Sequence, residues 1–266
     1  MEFVLLLTGC VAFPFLHCTS LYVVSRILPG RSEGVYYAIS TRLVSLLQAT
    51  CASCVGLRVV LKCNNIMKDR FLSVNYYAWF AVSYFYYDLG AMFLECYHSY
   101  PNDDIIKSCQ RLFSKKWLIV LHHVFLPMFG FPLVVFYRRG LGDFFVGCIY
   151  LAEMSTPFLS VHAMLRKLDM KRNIFFKVNG ILLAISFCIG RIFVFPFMYH
   201  SYAKHSNLYI WQVPFKIPLL CNISCLGLLS LQLVWFIAIV RQVAAFLEKF
   251  IWSYKNQSNG DHQTKS

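Results

Sequence analysis

The stretch WLIVLHHVFLPMFGFPLVVFY, residues 117–137, holds 21 residues and not one Asp, Glu, Lys or Arg. A helix of that length covers about 30 Å, the thickness of the hydrocarbon core of a bilayer. It therefore reads as a membrane span. Its two adjacent histidines, His122 and His123, and its two prolines, Pro127 and Pro132, do not suit a helix that only anchors the chain in lipid.

Outward from that segment the same pattern repeats. Runs of about 20 mainly apolar residues predict seven transmembrane helices, near Phe3 to Ser25, Val35 to Leu61, Tyr76 to Tyr97, Trp117 to Tyr137, Phe144 to Leu165, Val178 to Tyr202 and Pro214 to Val240. Their spacing leaves no room for a separate soluble domain. The composition agrees, at 58% hydrophobic and 14% charged residues in a chain of 266, because no soluble domain of that size could bury or solvate so much apolar surface. The N-terminus turns apolar from Phe3 without a basic leader or a small-residue cleavage site, so it reads as a retained first helix.

A net charge of +13 would point to nucleic acid in a soluble protein. Here the charge lies in short loops, where it sets orientation and meets anionic headgroups; nucleic acid is not an expected partner. The loops around residues 26–34, 98–116 and 166–177, with the tail from Arg241, carry fifteen Lys and Arg. The opposite side carries seven: Lys62, Lys68, Arg70, Arg138, Arg139, Lys204 and Lys216. That bias places the C-terminus in the cytosol. Residues 1–34 then form a first helix and loop, 35–240 the main transmembrane domain, and 241–266 a polar cytosolic tail, expected to be disordered after Trp252, in which the Asn256 sequon is silent.

Most of the eleven cysteines fall inside apolar spans and read as free buried thiols, including the CxxC spacing of Cys51 and Cys54. Prolines 14, 127, 132, 157 and 196 lie within spans, where each removes a backbone hydrogen bond. The bundle should accordingly be bent and enclose a cavity. No internal repeat is visible, which argues against a secondary transporter.

A charged side chain at mid-membrane costs on the order of 3 kcal/mol on insertion scales, so each one is a functional candidate. Arg42, Asp88, Glu95, Glu153 and Arg191 meet that description, with His122, His123 and Asn179 beside them as polar residues. The plainer account pairs Arg42 with Asp88 and Arg191 with Glu153 as structural salt bridges. Adjacent histidines lie about 100° apart on a helix, which rules out an i, i+4 metal pair and offers instead a base or nucleophile near neutral pH. No metal or cofactor is expected.

Several short motifs stand in a fixed order. They are Ser40-Thr41-Arg42, Tyr87-Asp88, Leu121-His122-His123, Gly142-Asp143-Phe144-Phe145-Val146-Gly147, Glu153-Met154-Ser155-Thr156-Pro157-Phe158 and Lys177-Val178-Asn179-Gly180. Together they resemble the TLC-domain family, named for the translocating-chain-associating membrane protein, the longevity-assurance ceramide synthases and the ceroid-lipofuscinosis membrane protein. The resemblance implies an all-α integral membrane fold in which six helices bundle around a narrow, lipid-accessible cavity with one further helix in front. It also implies residence in the endoplasmic reticulum, with Golgi and plasma membrane left open.

For the synthases of that family it implies acyl transfer from fatty acyl-CoA, as co-substrate, to the amine of a sphingoid base. His122, His123 and Glu153 are then the expected catalytic residues, with Glu153 orienting an imidazole. Arg42, Asp88, Tyr150, Asn179 and Arg191 are expected to line the substrate cavity. Tyr150 stands where the synthases carry the first acid of a pair, and Glu153 at the second. With one acid missing, a non-catalytic protein that binds, senses or moves membrane lipids is the competing reading. Association with itself or with a second chain is open on the sequence.

Overall fold

Among the described residues every regular element of the computed structural model is helical. The description covers the backbone of residues 1–263 and side chains as far as residue 245. The order is α1 (Glu2–Ile27), α2 (Glu33–Lys62), α3 (Leu72–Ser99), α4 (Ile105–Phe125), α5 (Asp143–Leu151), α6 (Thr156–Lys167), α7 (Ile174–Phe187), α8 (Val194–His205), α9 (Val213–Lys216) and α10 (Leu219–Gln263). Segments that the sequence reads as single spans are broken in two: α5 and α6 by a tight turn at Ala152–Ser155, α7 and α8 by a wide turn at Cys188–Phe193. Beyond α4 the fourth span continues through wide turns at Leu126–Gly130 and Leu133–Tyr137.

Proline accounts for most of these irregularities. Pro127 and Pro132 begin or precede the two wide turns after α4, Pro157 opens α6 behind the tight turn, and Pro196 follows the wide turn into α8. Each lacks the N–H that would bond the carbonyl one turn back. Pro14 sits inside α1 without breaking it.

Among the described residues six helical segments are long and apolar enough to cross a membrane: Glu2–Ile27, Glu33–Lys62, Ile105–Tyr137, Asp143–Lys167, Ile174–His205 and Leu219–Ala245. The seventh expected span, α3, is as long as the others, but six tyrosines together with Asn75, Asp88 and Glu95 lower its hydropathy. Those groups find partners within the bundle: Tyr84 pairs with Ser45 Oγ (2.7 Å), Tyr77 with Gln48 (3.0 Å) and Tyr87 with His17 (2.8 Å). A helix that satisfies its polar groups against neighbours can be less apolar than one facing lipid.

Contacts at the ends of α3 show that it runs the length of the bundle. At its start, Gly142 N–H donates to the Met67 carbonyl (3.0 Å), and Asp143 accepts from Phe71 N–H (2.5 Å) and from Arg138. At its end, His98 meets Glu33 (2.7 Å) and Glu95 meets Lys167 (3.5 Å), while Arg31 reaches Asp169 (3.7 Å). The first group of loops belongs to the Lys/Arg-poor side and the second to the Lys/Arg-rich side.

Two expected boundaries move for local reasons. The fourth helix begins at Ile105 and not Trp117, because Asp104 caps it by accepting from Lys107 N–H (2.7 Å). A non-helical residue, Lys116 (φ −128°, ψ 18°), separates that first stretch from the apolar span. The last span begins at Leu219 and not Pro214, because Ile217 is extended ahead of Pro218. Its helical backbone continues to Gln263, through the stretch expected to be disordered, since no proline follows Pro218 and the next glycine after Gly227 is Gly260. The Asn256 side chain and residues 264–266 lie outside the described residues.

The tightest crossing joins α2 and α5. A Cβ on Gly56 would come within 2.6 Å of the Gly147 carbonyl, and one on Gly147 within 2.8 Å of Val59. Small residues there let two backbones touch, as membrane helices commonly require. That contact sets where α5, and the residues following it, face the interior.

Candidate functional site

The bundle encloses a cavity of about 420 Å³. Its walls come from α2, α3, α4, α5, α6, α7 and α10 and from the turns between them, and no residue of α1 reaches it. The lining is mainly apolar, with Ala81, Phe85, Met92, Phe131, Leu159 and Phe187 among it. Seven of the eight expected site residues converge there: Arg42, Asp88, His122, His123, Tyr150, Glu153 and Arg191. The eighth, Asn179, does not. Its amide donates to the Phe158 carbonyl (2.8 Å) and ties α7 to α6 outside the cavity.

The two histidines differ in their surroundings. His123 Nδ1 lies 2.9 Å from the Ile119 carbonyl one turn back, and Nε2 lies 3.0 Å from Asp88 Oδ2. Both partners are acceptors, so Nδ1 carries a proton and a second proton lies between Nε2 and the carboxylate. No lone pair of His123 is left for a substrate. His122 makes no hydrogen bond to any described residue and touches the rings of His123 (5.5 Å) and Trp235 (5.6 Å) edge to face. Of the pair, His122 is the imidazole able to take a proton from a bound molecule.

Asp88 is the carboxylate in hydrogen-bond contact with an imidazole, and Glu153 makes no such contact with either histidine. Glu153 accepts from Thr156 Oγ1 (2.7 Å) and lies 3.3 Å from Arg191 Nη2. The same guanidinium donates to Ser155 Oγ (2.9 Å), Thr156 Oγ1 (2.7 Å) and Gln232 Oε1 (3.2 Å). The expected Arg191–Glu153 pair thus forms, within a network that leaves little of Arg191 unsatisfied. Both residues stand on the irregular turns, Glu153 on Ala152–Ser155 and Arg191 on Cys188–Phe193. A regular helix at either place would turn the side chain through a different angle.

The other expected pair is absent, because Asp88 is engaged by His123. Arg42 lines the cavity with no hydrogen bond or ion pair to a described residue. A guanidinium in direct contact with no carboxylate of the described residues, in a largely apolar chamber, is suited to an anionic or polarised oxygen of a ligand.

A family model of the TLC domain matches residues 38–241. The chain belongs to the TLC-domain family. No solved structure matches it.

Within this TLC domain the motif residues divide between building and lining. Ser40 and Thr41 are fully buried, and Thr41 donates to the Tyr37 carbonyl (2.9 Å), whereas Arg42 one position on faces the chamber. Tyr87 faces α1 through His17 while Asp88 faces inward. Asp143 is a structural clamp, and Tyr150 does double duty, since it lines the chamber while its hydroxyl donates to the Val74 carbonyl (3.0 Å).

A metal at the histidine doublet would need a third ligand. Among the described residues no three His, Cys, Asp or Glu groups stand close enough together to hold one metal ion, and His162, a candidate on sequence, stacks on Phe176 (4.0 Å). Gln48 and Ser45, which line the chamber, and Gln232, which accepts from Arg191, were missed as site residues, although all are polar groups inside apolar spans and the rule that found Asn179 applies to them. Trp235 carried no such signal.

Proposed function

We propose that this TLC domain is a lipid N-acyltransferase of the ceramide-synthase type, moving a fatty acyl chain from acyl-CoA to a sphingoid base in the endoplasmic reticulum membrane. Family membership supports the coarser part, a lipid-related multi-pass membrane protein. The observation that carries the finer part is His122, an imidazole with no protein hydrogen bond in an apolar chamber, fixed in place beside His123.

In this reaction the amine nitrogen attacks the thioester carbon, the C–N bond forms and the C–S bond breaks. His122 takes the amine proton and returns it to the departing thiolate, or holds the acyl group itself in a two-step version. Arg42 faces the negative charge that develops on the thioester oxygen. His123 and Asp88 hold the His122 turn in register, and Glu153 with Arg191 positions the opposite wall. Within the family, the order and spacing of the motifs favour the type 3 TLC domain-containing proteins, A or B form.

A second reading, a lipid-binding or lipid-moving protein without catalysis, is favoured by one observation. Tyr150 occupies the place of the synthases' first acid, and Glu153 is committed to Arg191 and Thr156. Purified protein in nanodiscs, given labelled acyl-CoA and a panel of sphingoid bases, should form N-acyl product. His122→Ala should lower the rate at least about a hundredfold, the usual range for loss of a general base being 10² to 10⁴. No turnover across the panel, with lipid binding retained in wild type and His122→Ala alike, would leave the non-catalytic reading.

A further inference from the structure

A second concavity, of about 160 Å³, lies at the Lys/Arg-rich end of the bundle, where the end of α3, the start of α4 and the end of α6 meet. Arg111, Lys115, Lys116 and Lys167 line it, with a single acid, Glu95, among them. Glu95 is buried and holds both Lys116 Nζ (2.8 Å) and Lys167 Nζ (3.5 Å). Lys115 Nζ donates to the Tyr100 hydroxyl (3.0 Å), and Arg111 Cζ lies over the Tyr100 ring, 3.9 Å from its centre, with Asp103 as its counter-ion (2.6 Å). Counting Glu95 and Asp103 against the four cations leaves two positive charges in excess, converging on one concave surface.

The backbone is shaped to this end. Consecutive residues on a helix point about 100° apart, yet Lys115 and Lys116 both line the same pocket. The helix breaks at Lys116 (φ −128°, ψ 18°), and both ammonium groups belong to residues of the pocket wall. Non-helical backbone inside a helix is more often found at ligand sites than elsewhere.

The pocket is separate from the histidine chamber. Met92, Leu112 and Val120, all buried, pack together between them. Its location on the side assigned to the cytosol faces it toward soluble nucleotides and toward the anionic leaflet.

We propose that this pocket binds a phosphate monoester, held by Lys115, Lys116 and Lys167 and bordered by Arg111. A phosphate monoester carries between one and a half and two negative charges at neutral pH, with three acceptor oxygens, which matches the excess charge and the number of lysines. The source is a soluble nucleotide or a phosphorylated lipid headgroup, and the chemistry recognised is the same. The site does not depend on acyl transfer, since a lipid-handling protein would use it equally.

The test uses the full chain in phosphatidylcholine nanodiscs with two probes. One is soluble adenosine bisphosphate; the other is a monophosphorylated phosphatidylinositol mixed into the disc lipid. Thermophoresis reads binding to each. Binding of the soluble probe alone, of the lipid alone, or of both in competition supports the site and names its source. Lys115→Ala with Lys167→Ala should weaken that binding at least about tenfold per lysine, as expected for loss of a charge-assisted hydrogen bond. Lys171→Ala, a lysine of the same side outside the pocket, should change it less than twofold. Lys115→Ala alone, which breaks no ion pair, serves if the double variant fails to fold. Binding of neither probe, or equal losses from Lys171→Ala and the pocket variants, overturns the proposal.

Discussion

His122→Ala and His123→Ala, one residue apart, should have opposite consequences. On the sequence both look like neutral imidazoles whose removal strands no charge. The structure separates them, because His123 holds the buried Asp88 carboxylate at 3.0 Å and Asp88 is only 6% exposed. Removing one partner of a buried pair costs about 3–5 kcal/mol, most of it the stranded charge. At roughly 2–4 °C per kcal/mol for a chain of this size, His123→Ala should lower Tm by at least about 6 °C. His122→Ala loses no hydrogen bond, only edge contacts with two rings, and should cost about 1 kcal/mol or less.

Relief of the stranded charge is the internal check. Asp88→Leu with His123→Phe removes both polar partners, and the pair should be more stable than His123→Ala, with a coupling of about 2 kcal/mol in the double-mutant cycle. Thermal unfolding followed by intrinsic tryptophan fluorescence in one detergent reads every variant. Equal losses for the two alanine variants, or a double variant less stable than His123→Ala, would refute the assignment of His123 as the anchored member.

Other outcomes follow from particular contacts. Gly56→Ala meets a backbone carbonyl at 2.6 Å that cannot rotate away, whereas Gly147→Ala meets the Val59 side chain; the first should lower Tm more, by an overpacking cost of about 1–3 kcal/mol. Arg191→Ala strands Glu153 and should destabilise by about 3 kcal/mol, with Arg191→Lys recovering part of it, as unfolding in detergent would show. In the loop between α2 and α3, the backbone N–H groups of Asn65 and Asn64 hold the Asp69 carboxyl below its ordinary value. Its stabilising effect is therefore present above the unfolded value and lost as pH falls through the folded one, so wild type and Asp69→Asn should differ in Tm near neutrality and converge in acid. A tag at the C-terminus should be digested by protease added to sealed microsomes, as the charge bias requires; protection would reverse the orientation.

Much of the architecture could be read from hydropathy and proline, because lipid imposes one requirement on every span: about 20 residues that leave no backbone polar group without a partner. Residues 117–137 stand out on that ground alone, and Pro127, Pro132, Pro157 and Pro196 foretold the irregular turns. α3 was legible as an element, but the partners of its tyrosines were not, since Ser45, Gln48 and His17 lie 29 to 70 residues away. The charged and polar residues of the site were legible for the same reason as the spans, since each stands where a bilayer would otherwise exclude it.

Which of them meet was decided only in three dimensions. Asp88 could have served Arg42 or a histidine equally well by sequence, and the helix packing gave it to His123. That left Arg42 facing the chamber and His122 with its nitrogens unengaged. Side-chain pairing across helices depends on rotation about each helix axis, which shifts by 100° per residue and is reset at every wide or tight turn. Hydropathy carries no record of that rotation. The sequence therefore determined that polar groups would lie inside the bundle, and the tertiary structure decided which imidazole is anchored and which keeps its ring nitrogens unengaged by any described residue.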